Sequence, residues 1–174
     1  MPPGTGAALR LLAAAGAAKA VVEIGTGTGV SGLWLLGGMR GDGILTTIDV
    51  ESEHQRMARR IFAEAGYQPS RARIITGRAL DVLPRLADGV YDLLFVDGDP
   101  DDTQACVAAA ARLLRPGGVL AVNGALAGGR VADPAARDPQ SVLMRELLRS
   151  LREAVEWLPA LLPVGEGLLA AVRR

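Results

Sequence analysis

Four kinds of residue are scarce in this chain of 174 residues, and each scarcity narrows what it can do. Cys106 is the only cysteine, so no internal disulfide can form, and a reduced cytoplasmic setting is the plain expectation. Lys19 is the only lysine, and every other fixed positive side chain is an arginine. With the excess of alanine, glycine and leucine, this reads as genomic composition bias. Aromatic residues make up 3%, leaving few partners for a flat stacked substrate. Trp34 and Trp157 suit core positions better than a substrate clamp. His54 stands alone, early in a helical stretch, where it is expected to face solvent. An excess of one charge is also missing. Nineteen basic and nineteen acidic residues cancel and no Lys/Arg block stands apart, which argues against nucleic acid or an anionic membrane as the main partner. Long uninterrupted apolar runs are absent too. The opening "MPPGTGAALRLLAAAGAAKA" has no charged segment ahead of its apolar stretch and is interrupted by Arg10 and Lys19. Neither a signal peptide nor a membrane span fits it; a short helix packed beside the first strand does.

What is present is a globular composition, 49% apolar and 22% charged, at a length that fits one domain over residues 1–174. Short β-branched runs alternate with helical ones. "AVVEI" (20–24) reads as a strand and Val30 to Met39 as a helix; "ILTTIDV" (44–50) is a second strand, followed by a helix from Glu53 to Ala65. "ARIITG" (72–77) is a third strand with the short helix "ALDVLPRL" after it, and "YDLLFVDG" (91–98) a fourth, feeding the helix "DTQACVAAAARLL". "RPGG" is expected to break that helix before a fifth strand, "VLAVN" (119–123). Cys106 on this helix reads as a small core residue, not a nucleophile. An amphipathic helix over 141–155 precedes two apolar runs, "WLPALLPV" and "GLLAAV", whose "GEG" link suggests a closing antiparallel hairpin. The fold class expected is α/β: a Rossmann-like, doubly wound, mostly parallel seven-stranded sheet with a C-terminal antiparallel hairpin. The irregular stretch Gly124 to Gln140 would lie at the carboxyl ends of the strands, where ligands bind in such sheets.

The densest signal is "VVEIGTGTGVSGLWLL" (21–36), an apolar run, one acid and a glycine-rich turn ahead of a helix. Such a unit aims backbone N–H groups and the positive helix end at a ligand. Gly27, Gly29 and Gly32 spell G-x-G-x-x-G and Asp49 stands where a ribose-binding acid would, so a dinucleotide is a competitor. Three features point elsewhere. Glu23 precedes the first glycine by two residues, and a carboxylate there repels a pyrophosphate but favours an ammonium or sulfonium. The turn repeats glycine at 25, 27 and 29 and is followed by Ser31, which with nearby amides can accept a small carboxylate. Asp49, at the end of the second strand, can take both ribose hydroxyls. An amino-acid end, a cationic centre and a nucleoside together make S-adenosylmethionine. The plainer readings are a tight turn without ligand for the glycines, a helix N-cap for Asp49, and a turn-and-capping cluster for Asp97 and Asp99 in "DGDPDD".

Six blocks in this order, "VVEIGTGTGVSGLWLL", "GILTTIDVE", "YDLLFVDGD", "LLRPGG", "GGRVADPAARD" and "LLPVGEGLLAAV", resemble the S-adenosylmethionine-dependent O-methyltransferases of the catechol/caffeoyl-CoA type. The nearest likeness is to an actinobacterial branch. What the resemblance implies is a cofactor site in which Glu23, Gly25, Thr26 and Ser31, with Gly27 and Gly29 of the same turn, surround the methionine part. Asp49 would bind the ribose, with Val50 against the adenine. Gly77, Arg78 and Ala79 would form the adenine edge, and Asp97 and Asp99 would lie near the methionine end and the substrate. It also implies a small-molecule methyl acceptor, S-adenosylhomocysteine as product, and a homodimer.

The chain departs from that family at several places. Well-understood members hold a divalent cation with two aspartates and an asparagine. Asp97 matches the first, but Asn123 and Gly124 stand at the other two positions. One carboxylate, one amide and a glycine make a poor hard-cation site, so no tightly bound metal is expected. Pro100 replaces the lysine that can serve those enzymes as base, leaving Asp97 or Asp99 as proton acceptor. The resemblance also implies several tens of residues ahead of "PPGTGAALRLLAAAG" that cover the substrate, so either the sequence is truncated at its start or an unusually open pocket is expected. Two alternatives remain: a fold that keeps its cofactor pocket but has lost catalysis, and an NAD-dependent oxidoreductase. The second lacks a Tyr–Lys or His–acid pair, since Tyr67 and Tyr91 have no lysine nearby.

Overall fold

The computed structural model describes residues 1–174. Strands β1 (Ala20–Ile24), β2 (Ile44–Asp49), β3 (Ala72–Thr76), β4 (Tyr91–Val96), β5 (Leu114–Asn123), β6 (Trp157–Leu162) and β7 (Leu168–Arg173) form one sheet in the order β3-β2-β1-β4-β5-β7-β6. The first five run parallel; β7 inserts antiparallel between β5 and β6. This is the doubly wound, mostly parallel sheet with an antiparallel C-terminal hairpin that the alternation of runs implies. Helices α1 (Pro3–Ala15), α2 (Val30–Gly38) and α3 (Ser52–Glu64) cover one face, and α4 (Ala79–Val82), α5 (Thr103–Leu113) and α6 (Pro139–Glu153) the other.

Alternation along each strand sorts the core into two layers. Val22, Ile24, Leu94, Val96, Leu120 and Val122 pack with Cys106, Ala110, Met144 and Leu147 of α5 and α6. Val21, Leu45, Leu93, Phe95 and Ala121 pack with Leu9, Leu35 and Phe62 on the opposite face. In α6 the buried residues Ser141, Met144, Leu147 and Leu151 recur at helical spacing, and the Asp138 carboxylate caps the helix by accepting from the Ser141 backbone N–H at 3.0 Å. Trp157 is buried at the start of β6, and Trp34 is half-buried against Gly6 of α1.

Several expectations are corrected. The helix α1 packs chiefly on α2, not beside β1, because its face Thr5, Gly6, Leu9 and Ala13 lets the backbone approach Trp34. "RPGG" does not separate α5 from β5. The strand begins at Leu114 and carries Arg115 to Gly118 in a bulge between the pairs Tyr91–Leu114 and Leu93–Val119. Asp92 secures that bulge by accepting from Arg115 Nε at 2.6 Å and from the backbone N–H groups of Lys19 and Ala20. The irregular stretch is slightly shorter than 124–140, since α6 already starts at Pro139; within it the 3₁₀ segment Ala127–Ala132 is kinked at the left-handed Gly128 and Gly129.

Strand order reverses direction at β1, whose neighbours are β2 on one side and β4 on the other. The helices following β1 and β4 therefore leave on opposite faces, opening a crevice beyond the carboxyl ends of these strands.

Candidate functional site

That crevice holds a cavity of about 560 Å³, open to solvent and built from four turns. The glycine turn after β1 gives Gly25, Thr26, Gly27 and Thr28, and α2 adds Val30 and Ser31. The end of β2 gives Ile48, Asp49 and Val50; the turn after β3 gives Gly77, Arg78 and Ala79; the turn after β4 gives Asp97, Gly98, Asp99 and Asp102. Thus eleven of the thirteen residues singled out from the sequence share one wall; Glu23 and Gly29 do not.

Local geometry explains why the wall has this shape. Gly25 has φ +92°, and a Cβ on it would lie 2.3 Å from the Asp97 carbonyl oxygen, so β1 and β4 can pass this closely only with glycine there. Gly29 has φ +90° and sits against Ala58 and Phe62 of α3, which makes it a packing residue behind the wall. Asp49 is locked in place from two sides, accepting from the Gly27 N–H through Oδ2 at 2.8 Å and from the Glu51 N–H through Oδ1 at 2.9 Å. Its carboxylate therefore spans from the glycine turn to the start of α3. Val50 is 58% exposed beside it, an apolar surface offered to the cavity.

Glu23 is placed differently from what its sequence position suggests. It is fully buried, in register between Thr47 of β2 and Phe95 of β4, behind the glycine turn. Thr47 Oγ1 donates to its Oε2 at 2.7 Å, and Thr47 Oγ1 lies 2.7 Å from Thr26 Oγ1 on the cavity wall. The other oxygen, Oε1, accepts no hydrogen bond. Burial pushes the carboxyl up from 4.5 to about 7, against the lowering pull of the Ser31 and Thr47 hydroxyls and with repulsion from Asp97 and Asp49 adding to it. Ser31 is close enough to act on Glu23 but does not complete a hydrogen bond to Oε1.

At the other side of the crevice Asp97 accepts from Asn123 Nδ2 at 2.8 Å, joining the ends of β4 and β5. Burial raises its carboxyl above the ordinary range, opposed by the Asn123 hydrogen bond. Asn123 Oδ1 is buried and accepts nothing. Asp99 caps the following 3₁₀ turn by accepting from the Asp101 N–H at 3.0 Å, so the capping role and a place on the wall coexist. Gly124, with φ +72°, brings no side chain, and no group of three or more His, Cys, Asp or Glu residues is arranged to hold a metal ion. As a donor set, one carboxylate already bonded to an amide N–H does not fit a divalent cation that takes six or more oxygens.

Three residues on or behind the wall escaped the sequence reading. His54 lines the cavity, half-exposed, with Nδ1 3.8 Å from Asp49 Oδ2, where solvent exposure alone was expected. Asp102 faces Arg78 across the mouth at 3.8 Å. Thr47 lies behind the wall; its signal was the polar pair Thr46-Thr47 in a strand whose other residues, Asp49 apart, are apolar. Cys106 is buried, and burial pushes its thiol up to about 11, as befits a core residue.

Comparison with known proteins places the whole architecture. The family model described as O-methyltransferase matches residues 1–174. A Mycobacterium tuberculosis protein named "Probable O-methyltransferase" is 58% identical over 171 residues, covering 98% of this chain and 76% of its own length. A crystal structure from Corynebacterium glutamicum superposes with a TM-score of 0.92 at 39% identity, covering 99% of this chain and 82% of that one. The O-methyltransferase TomG of Streptomyces achromogenes, solved in complex with SAM, gives a TM-score of 0.89 at 31% identity, covering 99% of this chain and 81% of that one.

Proposed function

This chain belongs to the O-methyltransferase family, and on that premise we propose that it moves the methyl group of S-adenosylmethionine to an oxygen of a small molecule with no resident divalent cation. The observation that carries the reading is the charge of the cavity. Asp49, Asp97, Asp99 and Asp102 line it against one guanidinium, Arg78, and the half-exposed His54. Carboxylates in that number repel a dinucleotide's pyrophosphate and favour a nucleoside bearing a sulfonium and an ammonium. A dinucleotide also leaves the acidic turn after β4 without a partner.

In this reading Asp49, held by two backbone amides, accepts from the ribose hydroxyls, with Val50 and Ala79 against the base. Gly25, Thr26, Gly27 and Ser31 bound the amino-acid end, and Glu23 acts on that end from behind the wall. When bound, the cofactor supplies an electrophilic methyl on a good leaving group, so much of the catalysis is positioning. Asp97 is the proton acceptor for the attacking hydroxyl: one oxygen is occupied by Asn123, and its raised pKa makes it a better base than an ordinary carboxylate. The reading also keeps the sequence's expectation of a cytoplasmic protein acting as a homodimer on a small-molecule acceptor. No helix is long and apolar enough to cross a membrane.

The test is a ligand-induced melting shift. S-adenosylmethionine and S-adenosylhomocysteine should raise Tm and NAD should not, and Asp49→Ala should weaken the effect about tenfold or more in Kd while leaving a folded protein. Stabilisation by NAD alone would overturn the assignment. Release of S-adenosylhomocysteine against a panel of catechols, phenols and carboxylic acids then separates a working enzyme from a fold that only binds.

A further inference from the structure

The chain Thr26–Thr47–Glu23 connects the cavity wall to a buried carboxyl group, and hydrogen-bond arithmetic fixes its direction. Each hydroxyl has one proton to give, and an ionised carboxylate can only accept. With Glu23 ionised, Thr47 must spend its proton on Glu23 Oε2, and Thr26 must spend its own on Thr47 Oγ1. Thr26, 1% exposed and among the residues lining the cavity, is then left with oxygen lone pairs and no proton to offer a further partner. With Glu23 protonated on Oε2 the order reverses, and Thr26 turns a donor toward the cavity. Glu23 Oε1, fully buried, accepts no hydrogen bond, and the Ser31 and Thr47 hydroxyls offset the burial of the carboxyl only in part.

We propose that Thr47, which does not line this cavity and carries no charge, is a positioning residue for the cationic amino-acid end of the ligand: it transmits the Glu23 carboxylate to the wall and holds Thr26 as an acceptor facing an ammonium. The inference rests on the cofactor reading above and deepens it, naming the residue that selects ligands with an amino-acid end over the bare nucleoside. The groups facing Glu23 are Thr47 and Asp49 from β2, Ser31 from α2 and Asp97 after β4. None of these carries a positive charge, so the cation that would balance an ionised Glu23 has to come from the ligand.

The experiment compares two ligands that share a thioether nucleoside. S-adenosylhomocysteine carries the amino-acid end and 5′-methylthioadenosine does not. Titration calorimetry on Thr47→Val should show S-adenosylhomocysteine weakened about tenfold or more, with 5′-methylthioadenosine unchanged, and Thr47→Ser should restore the difference because it keeps the hydroxyl. The gain in affinity for S-adenosylhomocysteine between pH 6 and 8 should also be smaller in Thr47→Val than in the wild type. If Thr47→Val does not fold, Thr26→Ala on the wall is expected to show the same ligand-selective loss. Equal weakening of both ligands, or of neither, in the folded variants overturns the proposal. Failure of the wild type to bind either ligand would instead overturn the cofactor reading itself.

Discussion

Replacing Glu23 by Gln tests the electrostatics of the site through stability, without needing an acceptor substrate. The folded carboxyl titrates near 7 because it is buried, whereas its ordinary value is 4.5. Below about pH 4.5 both states hold the proton and the group has no differential effect. As pH rises toward 7 the unfolded chain gives the proton up and the folded one keeps it, so the folded state binds more protons and loses stability. Above 7 both are ionised and the loss is complete. At 1.36 kcal/mol per decade, the gap between 4.5 and about 7 amounts to ~3 kcal/mol, or roughly 6 to 12 °C in Tm for a chain of this size. The assay is urea unfolding of wild type and Glu23→Gln at half-unit intervals from pH 4.5 to 8. Glutamine keeps an acceptor for Thr47 but does not titrate, so its curve should lack this fall. Its buried NH₂ has its own satisfaction problem, which shifts the level of the curve; the slope therefore carries the test. Parallel curves for the two proteins would refute the assignment of a raised pKa to Glu23. A cationic ligand should reverse the effect, expelling the proton on binding, so that affinity climbs by up to tenfold per pH unit below 7 and then levels off.

Asp97→Asn should lower turnover by about 10²–10⁴-fold, well beyond the weakening of S-adenosylhomocysteine binding that loss of one cavity charge brings, and turnover of the wild type should be unaffected by chelator or added magnesium. A magnesium requirement would return a cation to the Asp97–Asn123 end of the crevice. Gly25→Ala should be lost to misfolding, because its Cβ would sit 2.3 Å from the Asp97 carbonyl oxygen at a left-handed φ. Gly27→Ala, with φ +47° and no atom within 4 Å of the added carbon, should fold at a cost of about 1–2 kcal/mol. Circular dichroism melts distinguish the two.

Most of the sheet could be read from the chain because the strands that are buried on both faces are near-continuous apolar runs, and the runs are separated by long helical stretches. The errors fall where local punctuation competes with pairing. Pro116 and Gly117 look like a break, yet Asp92 on β4 draws Arg115 into the sheet and the chain bulges without leaving it. The helix at the start was recognisable, but its neighbour was not, since the contact with Trp34 depends on the missing side chain of Gly6, a tertiary fact.

The wall of the site followed from residue types at the ends of strands, and depth did not. Asp49 and Glu23 look alike in the sequence, one acid near the end of each of two adjacent strands. Asp49 is the last residue of β2 and reaches the crevice; Glu23 is one residue short of the end of β1, and the pleat turns it to the face covered by α2. That one-residue difference separates a carboxylate on the cavity wall from one that reaches the wall only through two hydroxyls. It also moves the source of the cavity's negative charge. In the proposed reading the turn after β4 and Asp49 would repel phosphate at the surface of the cavity, while Glu23 would set which way Thr26 points. On that reading, repulsion of a dinucleotide and recognition of an amino-acid end would be separate functions of separate acids. A substitution at Glu23 should relax the preference for the amino-acid end without admitting NAD, and NAD binding by Glu23→Gln would show that the two cannot be divided in this way.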